Sequence, residues 1–381
     1  MIRMNEIKRR ADQHALALLA AGLLGVAWHN WRLWQRDQAQ IDRIRSERTP
    51  TPTLDRTPKI SALVAAWNEA ERIDDHLRSF LALHYPNIEL ILCAGGSDAT
   101  LDRAKQYASE RVIVVEQSAG QGKQRALACG YEYATGDLIY LTDADCVFND
   151  VALLRLLDPI VNDGEHVATG ISRPLDDQIN RLLPRWVWSA DVVASARQGR
   201  YSGGLLGRNA LVTRQALDQI GGLDFVARTG TDYHLARRLL AAGVQIRFVP
   251  TSVVASAYPD RIRSYWQRQS RWMRNLLLYG GRYRAYHQVW DTVRSALIGL
   301  LMLALPVASL RLGRVVAIGW LLLLTQAAIA KVRYMAFTAR VTQQPLLLLH
   351  TFAVLPLTLI EFAIWVSPVL QVMSKRQRER W

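Results

Sequence analysis

From residue 60 to residue 143 the chain alternates short apolar runs with stretches of helical periodicity. The runs "ISALVAAW" (60–67), "IELILC" (88–93), "RVIVVE" (111–116) and "DLIYLTD" (137–143) are enriched in β-branched residues and read as strands. Between the first two, Glu69–Leu83 carries Ile73, Leu77, Phe80 and Leu81 at helical spacing. Strand–helix alternation of this kind predicts a right-handed α/β fold with a parallel sheet. Such sheets bind ligands at the carboxyl ends of their strands, so the residues just after each apolar run are the ones to inspect.

On either side of this region the polar positions thin out. "HALALLAAGLLGVAWHNW" (14–31) follows a basic start that would suit a signal peptide. No small-x-small cleavage site comes after it, however, and Trp28 and Trp31 have the character of interfacial anchors. Residues 1–35 are therefore expected to hold a retained transmembrane helix, followed by a polar Pro/Thr-rich linker over 36–57. A soluble domain is expected at 58–255 and a membrane region at 293–381, with Ala296–Leu310, Val315–Ala330 and Pro345–Gln371 as spans. The first two are shorter than the roughly 20 residues a crossing needs. Arg294, Arg311, Arg314 and Lys331 are accordingly expected to snorkel outward. About four spans in all put both termini opposite the soluble domain, which sets the basic tail "KRQRER" (375–380) against the positive-inside bias.

Residues 256–292 form an amphipathic interface region. In a helix through "YWQRQSRWMRN" (265–275), Ser264, Arg268, Arg271 and Asn275 share one polar face. Ile262, Trp266 and Met273 lie largely elsewhere, with Leu277, and Trp266, Met273 and the arginines of "GGRYRAYH" are expected at the membrane interface. The stretch thus admits two uses, holding a membrane surface and holding an anion.

Composition narrows the classes. The 381 residues allow one large domain or two modest ones. A formal net charge of +14 suits anionic lipid and the positive-inside bias. With neither zinc spacing nor a stacked-aromatic motif beside the basic residues, nucleic acid is not an expected partner. Three cysteines, Cys93, Cys129 and Cys146, lack metal-ligand spacing and read as buried thiols of a reducing cytosol. The soluble domain is placed on the cytoplasmic side.

The chemistry gathers at the strand ends. "YLTDADC" supplies Asp143 and Asp145, alternate residues that face one way on an extended chain. Two hard oxygen ligands suit Mg²⁺ or Mn²⁺ bridged to phosphate. "AAWNEAE" supplies Asn68 and Glu69, expected to cap the next helix and to face the ligand edge. In "CAGGSDAT" two glycines let backbone approach a ligand ahead of Asp98. "GQGK" is not a P-loop, since Gln117 stands where the first glycine is needed and Gln124 replaces the Ser/Thr. Lys123 can still meet phosphate as a point charge at a helix start.

In this order the segments resemble the family 2 glycosyltransferases over about Pro58 to Asn275. The resemblance implies a GT-A fold, a mixed and mainly parallel sheet flanked by helices, with a nucleotide sugar, expected to be a UDP-sugar, as donor. It extends to "RTGTDYHLARRL", which supplies Asp232 as the family's later aspartate, and to "RQSRW", which supplies Arg271 and Trp272. Three departures stand out. Cys93 and Ala94 occupy positions where many members carry Asp-Asp, Thr231 replaces an acidic residue, and Arg268 replaces the glutamine of Q-x-x-R-W. That R-x-x-R-W form, with "LALHYPNIELILC" and "TDYHLARRLLAAGVQIRFVPTSVVA", is similar to the ceramide glucosyltransferase branch and implies a lipid acceptor.

The family implies an inverting single displacement. Asp232 is the candidate base for the acceptor hydroxyl. Asp143 and Asp145 are the candidate ligands of a divalent cation at the leaving diphosphate, with Arg271 and Arg268 as hydrogen-bond donors to the same oxygens. Asn68, Glu69, Asp98, Lys123 and Trp272 complete the expected donor site, while Gly203, Gly204 and Trp272 are expected beside the acceptor. His234, just after Asp232, is expected to pack or lie at the surface. A processive polysaccharide synthase is the alternative, though about four helices are thin for a polymer channel in one chain. A non-catalytic scaffold has no physical need of this residue set, and a glycoside hydrolase has none of Lys123 and an arginine helix.

Overall fold

The computed structural model describes residues 2–46, 50–227, 229–346 and 348–373. In chain order its elements are α1 (Ile2–Ser46), β1 (Ile60–Trp67), α2 (Ile73–Leu81), β2 (Ile88–Gly95), α3 (Thr100–Lys105), β3 (Val112–Glu116), α4 (Gly122–Tyr133), β4 (Leu138–Leu141) and β5 (Cys146–Val147). Then come α5 (Asp150–Val161), β6 (Val167–Pro174), α6 (Leu182–Ala196), β7 (Tyr201–Ser202), β8 (Ala210–Thr213), α7 (Arg214–Gln219), α8 (Thr231–Ala241) and β9 (Ile246–Ser256). The chain ends in α9 (Ile262–Tyr279), α10 (Tyr286–Leu312), α11 (Arg314–Val341), α12 (Leu348–Phe352) and α13 (Val354–Met373). Two compact units divide it, one of Thr49–Trp188 with Ala194–Tyr258, the other of Met1–Arg48, Ser189–Val193 and Pro259–Trp381.

The first unit is built on one sheet of order β3-β2-β1-β4-β8-β6-β9-β5, with β7 paired to β9. The four strands expected from the apolar runs are its contiguous parallel half. Beyond β4 the sheet is mixed: β8 runs antiparallel to β4 and β6, β6 and β9 are parallel, and β5 and β7 oppose β9. Along β1, Ile60, Ala62, Val64 and Ala66 pack with Ile73, Leu77 and Phe80 of α2 and with Leu156 of α5, whereas Leu63 packs on the other face with Leu127 of α4, Leu217 of α7 and Leu239 of α8. Both faces are covered, which is why these strands read as unbroken apolar runs. From β1 the chain moves to one side, to β2, and later returns on the other side as β4, so β1 and β4 flank a topological switch point.

Helix α2 starts four residues later than its periodicity predicts. Asn68 takes a left-handed conformation at φ 59°, and only backbone bonds from Arg72 and Ile73 to the Glu69 carbonyl lead into the helix. Leu81, counted with the apolar face, is 39% exposed.

The second unit is helical. Among the described residues three helices are long and apolar enough to cross a membrane, Tyr286–Leu312, Arg314–Val341 and Val354–Val372. The first two run well past the expected spans, because charged residues at their ends stay helical. The segment His14–Trp31, expected as the fourth, is helical throughout. It lies inside the 45-residue α1, alongside α11, where Asn30 bonds Gln326 at 2.6 Å and Asp37 pairs with Arg333 at 2.5 Å. Residue numbers rise together across those contacts, so the two helices run parallel. Lys331 does not snorkel outward: it pairs with Glu361 of α13 at 2.6 Å, the arrangement that charges in an apolar helix layer require. The basic tail at 375–380 lies outside the described residues.

Helix α9 spends its apolar face on protein. The Trp266 indole N–H donates to Ser367 Oγ at 3.1 Å, Met273 is buried, and Arg274 donates to Gln371 Oε1 at 3.4 Å. Met273, expected at the lipid interface, is buried instead, and Trp266 is half-buried with its N–H on α13. Asn275, expected on the polar face, is buried as well, whereas Arg271 is exposed and Trp272 is 56% exposed.

Candidate active site

Three loops leave the carboxyl edge of β1, β2 and β4, and the first two are locked together. Asn68 Oδ1 accepts the Ser97 backbone N–H at 2.7 Å. Gly96, at φ 128°, passes so close that a Cβ there would lie 2.2 Å from the same oxygen, so only glycine fits. Asp98 braces the pair of loops. Its Oδ1 accepts the Thr100 hydroxyl at 2.5 Å and the Thr100 N–H at 3.0 Å, and its Oδ2 accepts the Ala70 N–H at 3.1 Å. The Thr100 hydroxyl first, then the backbone donors, hold this exposed carboxylate below its ordinary range. Neither Asn68 nor Glu69 caps α2, whose N-cap is Arg72 with no side-chain bond. The expected capping role is corrected to cross-loop bracing, which competes for the same side-chain oxygen.

Asp143 and Asp145 lie in the turn between β4 and β5 rather than on an extended strand. The Cys146 N–H closes the turn on the Asp143 carbonyl at 3.0 Å, and the Ala257 N–H donates to the Asp145 carbonyl at 3.1 Å. Lys123 reaches Asp143 from the first turn of α4 as a half-exposed ion pair. Burial pushes this ammonium down, but Asp143, then Asp232 and Asp145, outweigh it and hold it above its usual value. Asp232 therefore shares the field of the Asp143–Asp145 turn. It sits in the first turn of α8, where the helix dipole favours a carboxylate, and its Oδ1 accepts the Tyr233 N–H at 2.9 Å. Gly207 packs against it so closely that a Cβ there would be 2.9 Å from Asp232 Cβ.

Glu69 feels the same crowd of charge. Burial first, then Asp145, Asp143 and Asp98, push its carboxyl up to about 7. The folded state holds this proton more tightly than the unfolded chain does. Stability from it is full below its ordinary value of 4.5 and is lost as pH rises through about 7. With chelator present, Glu69→Gln is expected to flatten the fall in melting temperature between those two pH values. Parallel wild-type and variant curves across that window would contradict the shift.

Arg208 carries no sequence signal, yet it belongs here. Its Nη1 donates to Ser256 Oγ at 2.6 Å and its guanidinium lies 5.7 Å from the centre of the Tyr258 ring. Burial pushes it down, but Tyr258, Asp145 and Asp143 outweigh burial and hold it above its usual value. Gly203 and Gly204 lie near α8, where Arg237 donates to the Gly203 carbonyl, and a Cβ on Gly204 would meet nothing within 4 Å. His234 is buried on α8. The three thiols are free: Cys93 and Cys146 are buried, Cys129 is partly so, and burial first pushes Cys93 up to about 12.

The structure thus gathers Glu69, Lys123, Asp143, Asp145, Arg208 and Asp232 at one edge of the sheet, with Asn68 and Asp98 bracing the loops beside them. Arg268, Arg271 and Trp272 belong to the helical unit. Among the described residues no three His, Cys, Asp or Glu side chains converge to hold a metal by themselves. The pair at 143 and 145 suits a cation that takes its remaining ligands from phosphate and water.

A family model described as glycosyltransferase like family 2 matches residues 58–275. The probable glycosyltransferase YdaM of Bacillus subtilis is 28% identical over 231 residues, covering 57% of this chain and 55% of that protein. The poly-beta-1,6-N-acetyl-D-glucosamine synthase of Staphylococcus epidermidis is 24% identical over 251 residues, covering 64% of this chain and 60% of that protein. The match thus spans a little over half the length of each relative. Among solved structures, the mannosyltransferase PcManGT from Pyrobaculum calidifontis, in complex with GDP-Man and Mn²⁺, superposes with a TM-score of 0.52 at 19% identity, covering 95% of this chain and 98% of that one. The likeness is one of fold, a mixed GT-A-like sheet flanked by helices.

Proposed function

The chain belongs to the glycosyltransferase like family 2, and from that premise we propose that it is a membrane-bound, metal-dependent transferase moving a sugar from a nucleotide sugar to a hydroxyl acceptor held at the membrane. The observation that carries this reading is the acidic edge, where Glu69, Asp98, Asp143, Asp145 and Asp232 outnumber the cations acting on them, Arg72, Lys123 and Arg208. A net negative edge would hold a nucleotide diphosphate only with a cation beside it. The donor set at 143 and 145 fits Mn²⁺ or Mg²⁺, the former being the ion in the mannosyltransferase complex.

Asp232 takes the proton of the acceptor hydroxyl as its oxygen attacks the anomeric carbon. The bond from that carbon to the diphosphate oxygen breaks, and the electron pair leaves with the diphosphate. A bound cation lowers the cost of that developing charge. Lys123 and Arg208 supply fixed positive charge beside it, and the roles of Arg271 and Arg268 as donors rest on the R-x-x-R-W resemblance alone. Asn68 and Asp98 shape the nucleotide end, and Gly203 and Gly204 leave room for the acceptor.

The lipid acceptor, the ceramide glucosyltransferase-like branch and the cytoplasmic placement rest on the R-x-x-R-W stretch, the flanking similarity and the reduced thiols. The name of the similar synthase favours a second reading, a processive polymer synthase. Full-length protein in membranes, given lipid extract, Mn²⁺ and a panel of UDP- and GDP-sugars, tests both by product mass. One added sugar on an organic-extractable acceptor is expected. An aqueous ladder of sugars would establish the second reading, and no transfer or donor hydrolysis from any sugar nucleotide would remove the enzyme.

A further inference from the structure

We propose that His76, assisted by Ser79, is a positioning residue that fixes the turn bearing Asp143 and Asp145 in the geometry a divalent cation needs. The inference rests on the transferase reading above and assigns a task to a residue that takes no part in the chemistry.

Both residues lie one turn apart on α2, and both reach the backbone just after Asp145. His76 Nδ1 bonds the Cys146 carbonyl at 2.7 Å. The Phe148 N–H donates to Ser79 Oγ at 3.0 Å, and Ser79 Oγ donates to the His76 carbonyl at 2.7 Å. On the opposite side β9 holds the same segment, with Cys146 paired to Ser256 and the Ala257 N–H on the Asp145 carbonyl at 3.1 Å. The acidic turn is thus clamped between a helix and a strand. A two-residue strand has little stability of its own, so the clamp, not the strand, sets where the carboxylates sit.

The choice of histidine supports a positional task. The ring is 1% exposed and lies 4.9 Å from the Phe148 ring. Because a carbonyl can only accept, Nδ1 carries the proton, and Nε2 is left buried with no hydrogen-bond partner. Burial first pushes the imidazole down to about 4, so it stays neutral. An orphaned buried acceptor lowers stability; a phenylalanine among Phe80 and Phe148 would remove this one but would leave the Cys146 carbonyl without its imidazole donor. What imidazole adds is the bond to Cys146. Helix α2 also begins just beyond Asn68 and Glu69, so one rigid element spans the two ends of the donor site.

Mn²⁺ affinity of the full-length protein in detergent, read from free Mn²⁺ by electron paramagnetic resonance, provides the test. Loss of an outer-shell partner weakens metal binding by about 10–100-fold. His76→Phe is expected to fall in that range while remaining folded, and His76→Asn, which keeps a donor near the Nδ1 position, to recover most of it. Ser79→Ala is expected to weaken Mn²⁺ in the same direction and decides the matter if His76→Phe does not fold. Wild-type affinity in the folded His76→Phe variant, or in Ser79→Ala where that variant cannot be made, overturns the positioning role alone. Unchanged affinity in Asp145→Asn overturns the metal reading, and this proposal with it.

Discussion

Asp232→Asn is expected to lower kcat by about 10²–10⁴-fold, the range a positioned general base contributes, while the protein folds as before. The reason lies in what the carboxylate does structurally. Its Oδ1 accepts the Tyr233 N–H, and an asparagine oxygen can accept the same bond. Gly207 packs against Cβ, which the substitution leaves in place. The amide cannot take a proton from an acceptor hydroxyl. Donor binding should change little, because Asp232 is only one of three carboxylates acting on Lys123, and Asp143 leads them. Steady-state kinetics alongside a melting curve check this. A kcat within a factor of about three of wild type, small against the expected range, would remove Asp232 as the base.

Half of the sheet was legible because both of its faces are covered. β1 to β4 present unbroken apolar runs, and the ligand edge follows from their order. β9 was not legible: its burial alternates along the strand and Pro250 interrupts it, so neither pattern dominates. Asp143, Asp145, Asp232 and Lys123 were recognisable as chemistry, each standing where a strand ends or a helix begins. Arg208 and His76 were not. A lone arginine after a glycine and a lone histidine in a short helix have no local signature, and their roles depend on β9 and β5 meeting across 109 intervening residues of chain between Cys146 and Ser256. The same limit explains the helical unit. Lys331 and Arg333, inside α11, looked like the end of an apolar span because hydropathy is local, whereas Glu361 and Asp37 satisfy them from distant helices. Likewise the buried Arg274 and Asn275 could not be told from exposed polar residues before α13 was placed against α9.

Asp143→Asn and Asp145→Asn are expected to lose activity alike and to differ in stability. Each removes one of the two cation ligands proposed for the site. Metal stabilisation of a leaving diphosphate is worth several kcal/mol, and at about 1.4 kcal/mol per decade the loss in kcat/KM is about 10³-fold or more. Their structural partners are not equivalent. Asp143 pairs with Lys123 across side chains that are 33% and 41% exposed, and such pairs contribute about 0–1 kcal/mol. Lys123, freed of its partner, can turn to water. Asp145 is the leading carboxylate acting on Arg208, whose guanidinium is held between Ser256 and Tyr258 and has no such escape. With chelator present, Asp143→Asn should therefore melt close to wild type and Asp145→Asn clearly below it, although neither binds Mn²⁺ with wild-type affinity. Equal melting temperatures would mean that Arg208 does not depend on Asp145, and retained Mn²⁺ affinity in both variants would take the metal away from this turn.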